Sequence, residues 1–171
     1  DIRRGVVPDI PGFCGTARAG VSFVDVTEDG VTNTVVDLLA ALGGAHAAQV
    51  VGSVKAGPGG TVEINRVLQG LRGAGRPQLP GRFYVGDPVI ATVNDYDLGV
   101  MNGELGEALA AGPGGGLQVR FDSGEKLVPA QSLDLLDLAY AVTCHKAQGS
   151  QFRRVIVPVT PNRLLDRTLL L

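Results

Sequence analysis

Leu138-Ala139-Tyr140-Ala141-Val142-Thr143-Cys144-His145-Lys146-Ala147-Gln148-Gly149-Ser150-Gln151-Phe152-Arg153-Arg154-Val155-Ile156-Val157-Pro158-Val159 sets two apolar runs, 138–142 and 155–159, on either side of a polar turn. A strand that is apolar on both faces must be covered on both faces, which is the pattern of a parallel sheet inside an α/β domain. Thr143 closes the first run and is placed to N-cap a short helix. Ligands of open α/β sheets bind at the carboxyl ends of the strands, and a helix N-terminus there turns free N–H groups toward an anion. The Thr143 hydroxyl, His145 and Lys146 add donors at the same place. The plainer alternative is a solvated turn with polar side chains.

Upstream, the residues supply the partners such a sheet needs. The β-rich run at 21–26 reads as a strand. Val31, Val35, Leu38, Leu39 and Leu42 form one helical stripe, with Thr32 or Asn33 as its cap and Gly43-Gly44 as its stop. The run at 48–54 reads as a second strand. Strand, helix, strand at this spacing is a βαβ unit with a parallel sheet. After the turn Gly57-Pro58-Gly59-Gly60, Thr61 opens a second helix with Ile64, Val67, Leu68 and Leu71 on one face. Residues 70–80 have linker composition.

Past Pro80 the period changes. Short β runs are broken by Gly86-Asp87, Asn102-Gly103 and Asp122-Ser123-Gly124, and Leu117, Val119 and Phe121 alternate with Gln118, Arg120 and Asp122. Several short strands in some 50 residues predict a small barrel inserted into the α/β domain. Asn102-Gly103 suits a type I′ hairpin turn.

Composition excludes several classes. The 171 residues carry 15 Lys+Arg against 17 Asp+Glu, a net charge of −2, so any contact with a polyanion must be local. A hydrophobic share of 44% argues for a packed core and against disorder. No apolar run approaches the ~18 residues of a membrane span. Asp1-Ile2-Arg3-Arg4 lacks the apolar stretch of a signal peptide, so a cytoplasmic protein without a membrane partner is expected. Cys14 and Cys144 form no CxxC pair and read as free thiols, and His46 and His145 leave little for metal binding. His46, Arg153-Arg154, Asp134 and Asp137 read as surface residues.

The stretch 138–152 resembles motif V of superfamily 1 DNA helicases, in the RecD-like group (the exonuclease V alpha subunit and its relatives), where the pattern is A-Y-A-x-T-x-H-K-x-Q-G-S-E-F. Other segments are similar in the same order. Gln49-Val50-Val51, Lys55-Ala56-Gly57-Pro58 and Asn65-Arg66-Val67-Leu68-Gln69 resemble Q-V-L-x-P-M-x-x-G-P…N-R-x-L-Q, with Gly52-Ser53-Val54 departing from it. Gly86-Asp87-Pro88-Val89, Asn94-Asp95-Tyr96 and Val100-Met101-Asn102-Gly103-Glu104-Leu105-Gly106 resemble G-D-x-V…N-x-Y…V-x-N-G-D-x-G. The resemblance implies a RecA-like parallel-sheet domain, 2A, over 1–80 and 132–171, interrupted by an SH3-like β-barrel, 2B, over 82–131. It implies single-stranded DNA as partner, gripped by Thr143, His145, Lys146 and Gln148; by their own positions, Lys55 after a strand and Asn94 and Asn102 in the barrel are placed to reach the same DNA. It also implies that Gly149, Ser150 and Gln151 form one wall of a nucleotide cleft. Gln151 stands where the family carries Glu, and Cys144 replaces an aliphatic residue.

No G-x-x-x-x-G-K-[ST] occurs; the stretch 52–60 is only glycine-rich. The chain is therefore expected to be the C-terminal part of an ATP-dependent 5′→3′ DNA helicase. ATP and Mg²⁺ would be bound in the full-length parent and not by this part alone, which would contain no catalytic residue, no metal site and no ATPase activity. The expected partners are the first RecA-like domain of the same chain and, in some settings, subunits of a nuclease complex. The competing class is a non-catalytic module whose barrel binds protein or nucleic acid. A Walker A loop encoded upstream and a motif VI arginine encoded just after Leu171 would separate the two.

Overall fold

The computed structural model describes residues 10–16 and 18–160. The residues at 1–4 and the motif VI boundary after Leu171 lie outside them. Two sheets pack side by side, each over its own core.

Helix α1 (Val31–Ala41) follows a 3₁₀ turn, Glu28–Gly30, whose two acids sit favourably at a helix N-terminus. Its N-cap is Gly30; Thr32 is inside the helix and buried, because Val31 and Thr32 both face the core. Val35 and Leu39 continue that stripe. At its end Gly44 N–H bonds the Leu39 carbonyl at 2.7 Å, the 6→1 closure of a Schellman cap. Strand β1 (Gln49–Gly52) follows.

Helix α2 (Thr61–Gly73) starts at a turn that only glycine fits, since a Cβ on Gly60 would lie 2.7 Å from the Lys55 carbonyl oxygen. It buries Ile64 and Leu68, whereas Leu71 is 61% exposed. The face that meets the sheet carries Asn65 and Gln69 instead.

The parallel sheet has the order β7-β1-β8, with β7 Ala141–Thr143 and β8 Val155–Ile156. Both run parallel to β1, pairing Val50 with Ala141 and Val50 with Ile156. Val35, Leu39, Val50, Ile64, Leu68 and Tyr140 form its core. The second sheet is antiparallel, with strands β2 Pro88–Ala91, β3 Leu105–Ala111, β4 Leu117–Phe121, β5 Gly124–Val128 and β6 Leu136–Leu138. Their order is β5-β4-β3-β2-β6, with β5 and β6 at the edges. Leu117, Val119 and Phe121 point inward in the expected alternation and meet Phe83, Val89 and Ala108.

Several expectations need correction. The run at 21–26 is not a strand. Among the described residues it makes one bridge, Gly12 to Phe23, and Phe23 is 59% exposed, so β propensity here finds no described sheet to join. The βαβ unit therefore lacks its first strand among the described residues. The apolar run 138–142 is not one strand. Leu138 ends β6 in the antiparallel sheet, Ala139 and Tyr140 cross between the sheets, and Ala141 begins β7. The crossing is as buried as a strand and so reads like one. Among the described residues the run 155–159 pairs only through Val155 and Ile156, and Pro158 has no N–H to offer a ladder.

Side-chain amides hold the crossing. Asn65 Nδ2 donates to the carbonyls of Leu138 (3.2 Å) and Ala141 (2.9 Å), and its Oδ1 accepts Ala141 N–H at 2.9 Å. Gln49 Nε2 donates to the carbonyls of Ala139 and Tyr140. The Tyr140 hydroxyl donates to Asp87 at 2.8 Å. These bonds set one sheet against the other.

Candidate nucleic-acid interface

Three segments meet at the carboxyl end of the parallel sheet. Gly52 and Thr143 pair at the ends of β1 and β7, and Cys144 N–H bonds the Gly52 carbonyl at 3.1 Å. The chain beyond Gly52 therefore lies beside the chain beyond Thr143. From the antiparallel sheet come Thr92, just past β2, and the turn before β3. Together they line an open cleft of about 610 Å³. Lys55 comes from the first segment, Thr143, His145, Lys146 and Gln148 from the second, and Thr92, Asn102 and Gly103 from the third.

The polar stretch after β7 is a series of turns, not a helix. Ala147 N–H bonds the Thr143 carbonyl, but Gln148 and Ser150 bond back three residues to His145 and Ala147. Gly149 then takes a positive φ of 86°. Thr143 therefore caps nothing, and donors to an anion come from side chains rather than from a helix N-terminus. Gly149, Ser150 and Gln151 are exposed at the far end of the turns and do not line the cleft.

Asn94 does not line the cleft either. Its Oδ1 accepts Asn102 N–H at 2.8 Å, so it shapes the wall that Asn102 provides. The other end of that wall is held by Glu104, which accepts N–H bonds from Met101 (3.1 Å) and Ser123 (3.0 Å). Partial burial pushes the Glu104 carboxyl up, but these bonds outweigh it and hold it below the usual carboxylate range.

Asn102-Gly103 does not form a type I′ turn. That turn needs positive φ at both central residues, and only Gly103 has it, at 88°. This is the type II pattern. A Cβ on Gly103 would also come 3.4 Å from the Lys146 carbonyl oxygen. Gly103→Ala is expected to cost roughly 1–2 kcal/mol from the left-handed backbone. Urea unfolding curves matching those of the wild type would refute this.

The cleft carries Lys55 and Lys146, hydroxyls and amides, and among the described residues no carboxylate lines it. That composition suits a polyanion with spaced phosphates. Lys146 is less free than its sequence suggests. Its Nζ lies 3.5 Å from Asp137 Oδ2, its side chain is only 22% exposed, and Asp137 also pairs with Arg82. A carboxylate that reads as plain surface thus anchors a cleft cation. The sequence pattern missed Asp137 because its partners lie 55 residues before it and 9 after it. Among the described residues no group of three or more His, Cys, Asp or Glu could hold a metal.

Residues 138–171 match the family model for the UvrD-like helicase C-terminal domain. The ATP-dependent RecD2 DNA helicase of Deinococcus radiodurans is 34% identical over 139 residues, which are 80% of this chain and 19% of that protein. The RecBCD enzyme subunit RecD of Mycobacterium tuberculosis is 38% identical over 117 residues, 67% of this chain and 20% of that subunit. A solved structure of Pif1 helicase from Bacteroides with ADP-AlF3 and single-stranded DNA aligns with 83% of this chain and 46% of its own, at 17% identity and a TM-score of 0.46. The class is that of the superfamily 1 helicases. Within it, the chain is homologous to the C-terminal region of the RecD-like DNA helicases, and it spans about a fifth of the length of the curated relatives it matches.

Proposed function

We propose that this chain is the DNA-gripping part of an ATP-dependent 5′→3′ DNA helicase, a RecA-like 2A domain whose antiparallel sheet is the inserted SH3-like 2B barrel. The observation that carries the reading is the cleft. It gathers Lys55, Asn102, Thr143, His145, Lys146 and Gln148 from three separate segments onto one surface whose lining holds no carboxylate, Asp137 reaching Lys146 from outside it. Phosphates of a single strand lie against the two lysines and the Thr143 hydroxyl, while Asn94 keeps Asn102 in place. Asp137 holds Lys146 at the wall until a phosphate competes for it.

In the glycine-rich loop before α2, the N–H groups of Gly60, Thr61 and Val62 are already bonded to the carbonyls of Gly57, Val54 and Lys55. These three amides are therefore not free to cradle a phosphate. We assign Gly149, Ser150 and Gln151 to one wall of a cleft that another RecA-like domain completes with ATP and Mg²⁺. No described helix is long and apolar enough to cross a membrane, and a cytoplasmic site of action fits this role. One relative being a RecBCD subunit, a nuclease complex is the candidate larger assembly.

The test is binding of a fluorescent oligo(dT) across a salt series. Deleting a side chain that neutralises one phosphate should reduce the slope of log affinity on log salt by about 0.7. Lys55→Ala and Lys146→Ala are each expected to show that reduction, and His145→Ala to weaken binding by the loss of one donor. Wild-type affinity and slope in all three folded variants would end this reading.

A further inference from the structure

Tyr96 is 76% exposed, more than any other large hydrophobic side chain among the described residues. It sits on the loop between Thr92 and Asn102, both of which line the cleft. The loop is pinned. Asp95 and Val100 exchange two backbone hydrogen bonds (2.8 and 2.9 Å), and Leu98 N–H bonds Asp95 Oδ1 at 3.0 Å. Asn94 joins the ring to the cleft, with Oδ1 accepting Asn102 N–H and Nδ2 donating to the Tyr96 hydroxyl at 3.3 Å. Val93 and Met101, beside the two lining residues, are also exposed.

A single exposed aromatic needs no explanation. A ring that is solvent-facing, on a stiffened loop, and tethered through one amide to the lip of a cationic cleft has a specific use. Channels for single strands combine cations that track the phosphates with aromatic faces on which bases stack. We propose that Tyr96 is a stacking platform for one unpaired base of the strand whose phosphates lie in the cleft. The proposal rests on the DNA reading of the cleft and adds a base-contacting site to it. Stacking is nearly indifferent to base identity and to salt, whereas the lysine contacts are salt-dependent.

The experiment compares Tyr96→Ala and Tyr96→Phe with the wild type on two strands of equal length, oligo(dT) and an abasic strand that keeps every phosphate. Tyr96→Ala should weaken oligo(dT) binding on the order of tenfold, leave the salt slope unchanged, and bind the abasic strand as the wild type does. Tyr96→Phe keeps the ring and should keep most of the affinity. Equal weakening on both strands, no weakening on either, or a phenylalanine variant as weak as the alanine one would each overturn the proposal. Weakening on oligo(dT) alone, with Lys55→Ala and Lys146→Ala silent, would uphold the stacking site and remove the phosphate reading of the cleft. Because the ring is exposed, the alanine variant should fold, and circular dichroism verifies it.

Discussion

Asp87→Ala is expected to lower the unfolding free energy by roughly 3 kcal/mol or more. Asp87 is 0% exposed and accepts three hydrogen bonds, from Gln69 Nε2 at 2.5 Å, Tyr84 N–H at 3.0 Å and the Tyr140 hydroxyl at 2.8 Å. Gln69 also donates to the Arg82 carbonyl near the surface and can recover. The Tyr84 amide and the Tyr140 hydroxyl lose this acceptor, and each buried donor left alone costs about 1–3 kcal/mol. Tyr140→Phe removes one donor and leaves Asp87 two others, so its cost should be nearer 1 kcal/mol. Urea unfolding followed by circular dichroism ranks the two, and an alanine variant no weaker than the phenylalanine one would refute the assignment.

The same hydrogen bond predicts a pH dependence. Burial, and then the bond to Asp87, raises the Tyr140 pKa above its ordinary value. The folded protein therefore holds the phenolic proton at pH values where the unfolded chain, with a pKa of about 10, releases it. This contribution to stability is whole below about pH 10 and is lost as pH rises above it. Stability in Tyr140→Phe should fall less steeply between roughly pH 9.5 and 11. Identical alkaline slopes would show that Tyr140 is not the group responsible.

Much of the parallel layer was legible from period alone. The stripe Val31, Val35, Leu39 and the run around Val50 became α1 and β1 because there sequence pattern and burial coincide, whereas in β8 Val155 is exposed and Ile156 only half-buried. The pattern failed where burial has another cause. Residues 21–26 have strand chemistry but, among the described residues, no neighbouring strand beyond one bridge. Ala139 and Tyr140 are buried as a crossing between sheets, which an apolar run cannot distinguish from a strand. Leu71 lies on the expected apolar face of α2 yet faces solvent, while Asn65 on the same helix faces backbone. An amide in a helix reads as solvent-facing unless its partners are known, and those of Asn65 lie more than 70 residues away. Of the residues expected to touch DNA, those after β1 and β7 reached the cleft because parallel strands end together. Asn94 did not, since its side chain is bonded to Asn102 and Tyr96.

The cleft therefore depends on residues outside it, and Asn65 is the sharpest case. Its three hydrogen bonds fall on Leu138, the last residue of β6, and on Ala141, the first of β7, so one side chain spans the junction of the two sheets. Asn65→Ala leaves the Ala141 N–H and two carbonyls without these partners on a face closed by α2. The expected destabilisation is roughly 3 kcal/mol, taking about 1 kcal/mol or more for each group. Asn65→Asp should be no better, since its carboxylate keeps the acceptor but faces the Leu138 and Ala141 carbonyls without a donor. Relaxation at the junction shifts Thr92 and Asn102 against Lys55 and Thr143, because the two walls of the cleft belong to different sheets. Under conditions where Asn65→Ala remains folded, oligo(dT) affinity should fall although no phosphate-binding side chain is deleted, and the salt slope should stay near that of the wild type. This separates it from Lys55→Ala and Lys146→Ala, whose effects appear in the slope. Wild-type stability would show that the junction does not rest on Asn65. Reduced stability with undiminished affinity would show that the cleft does not need the two sheets held in register.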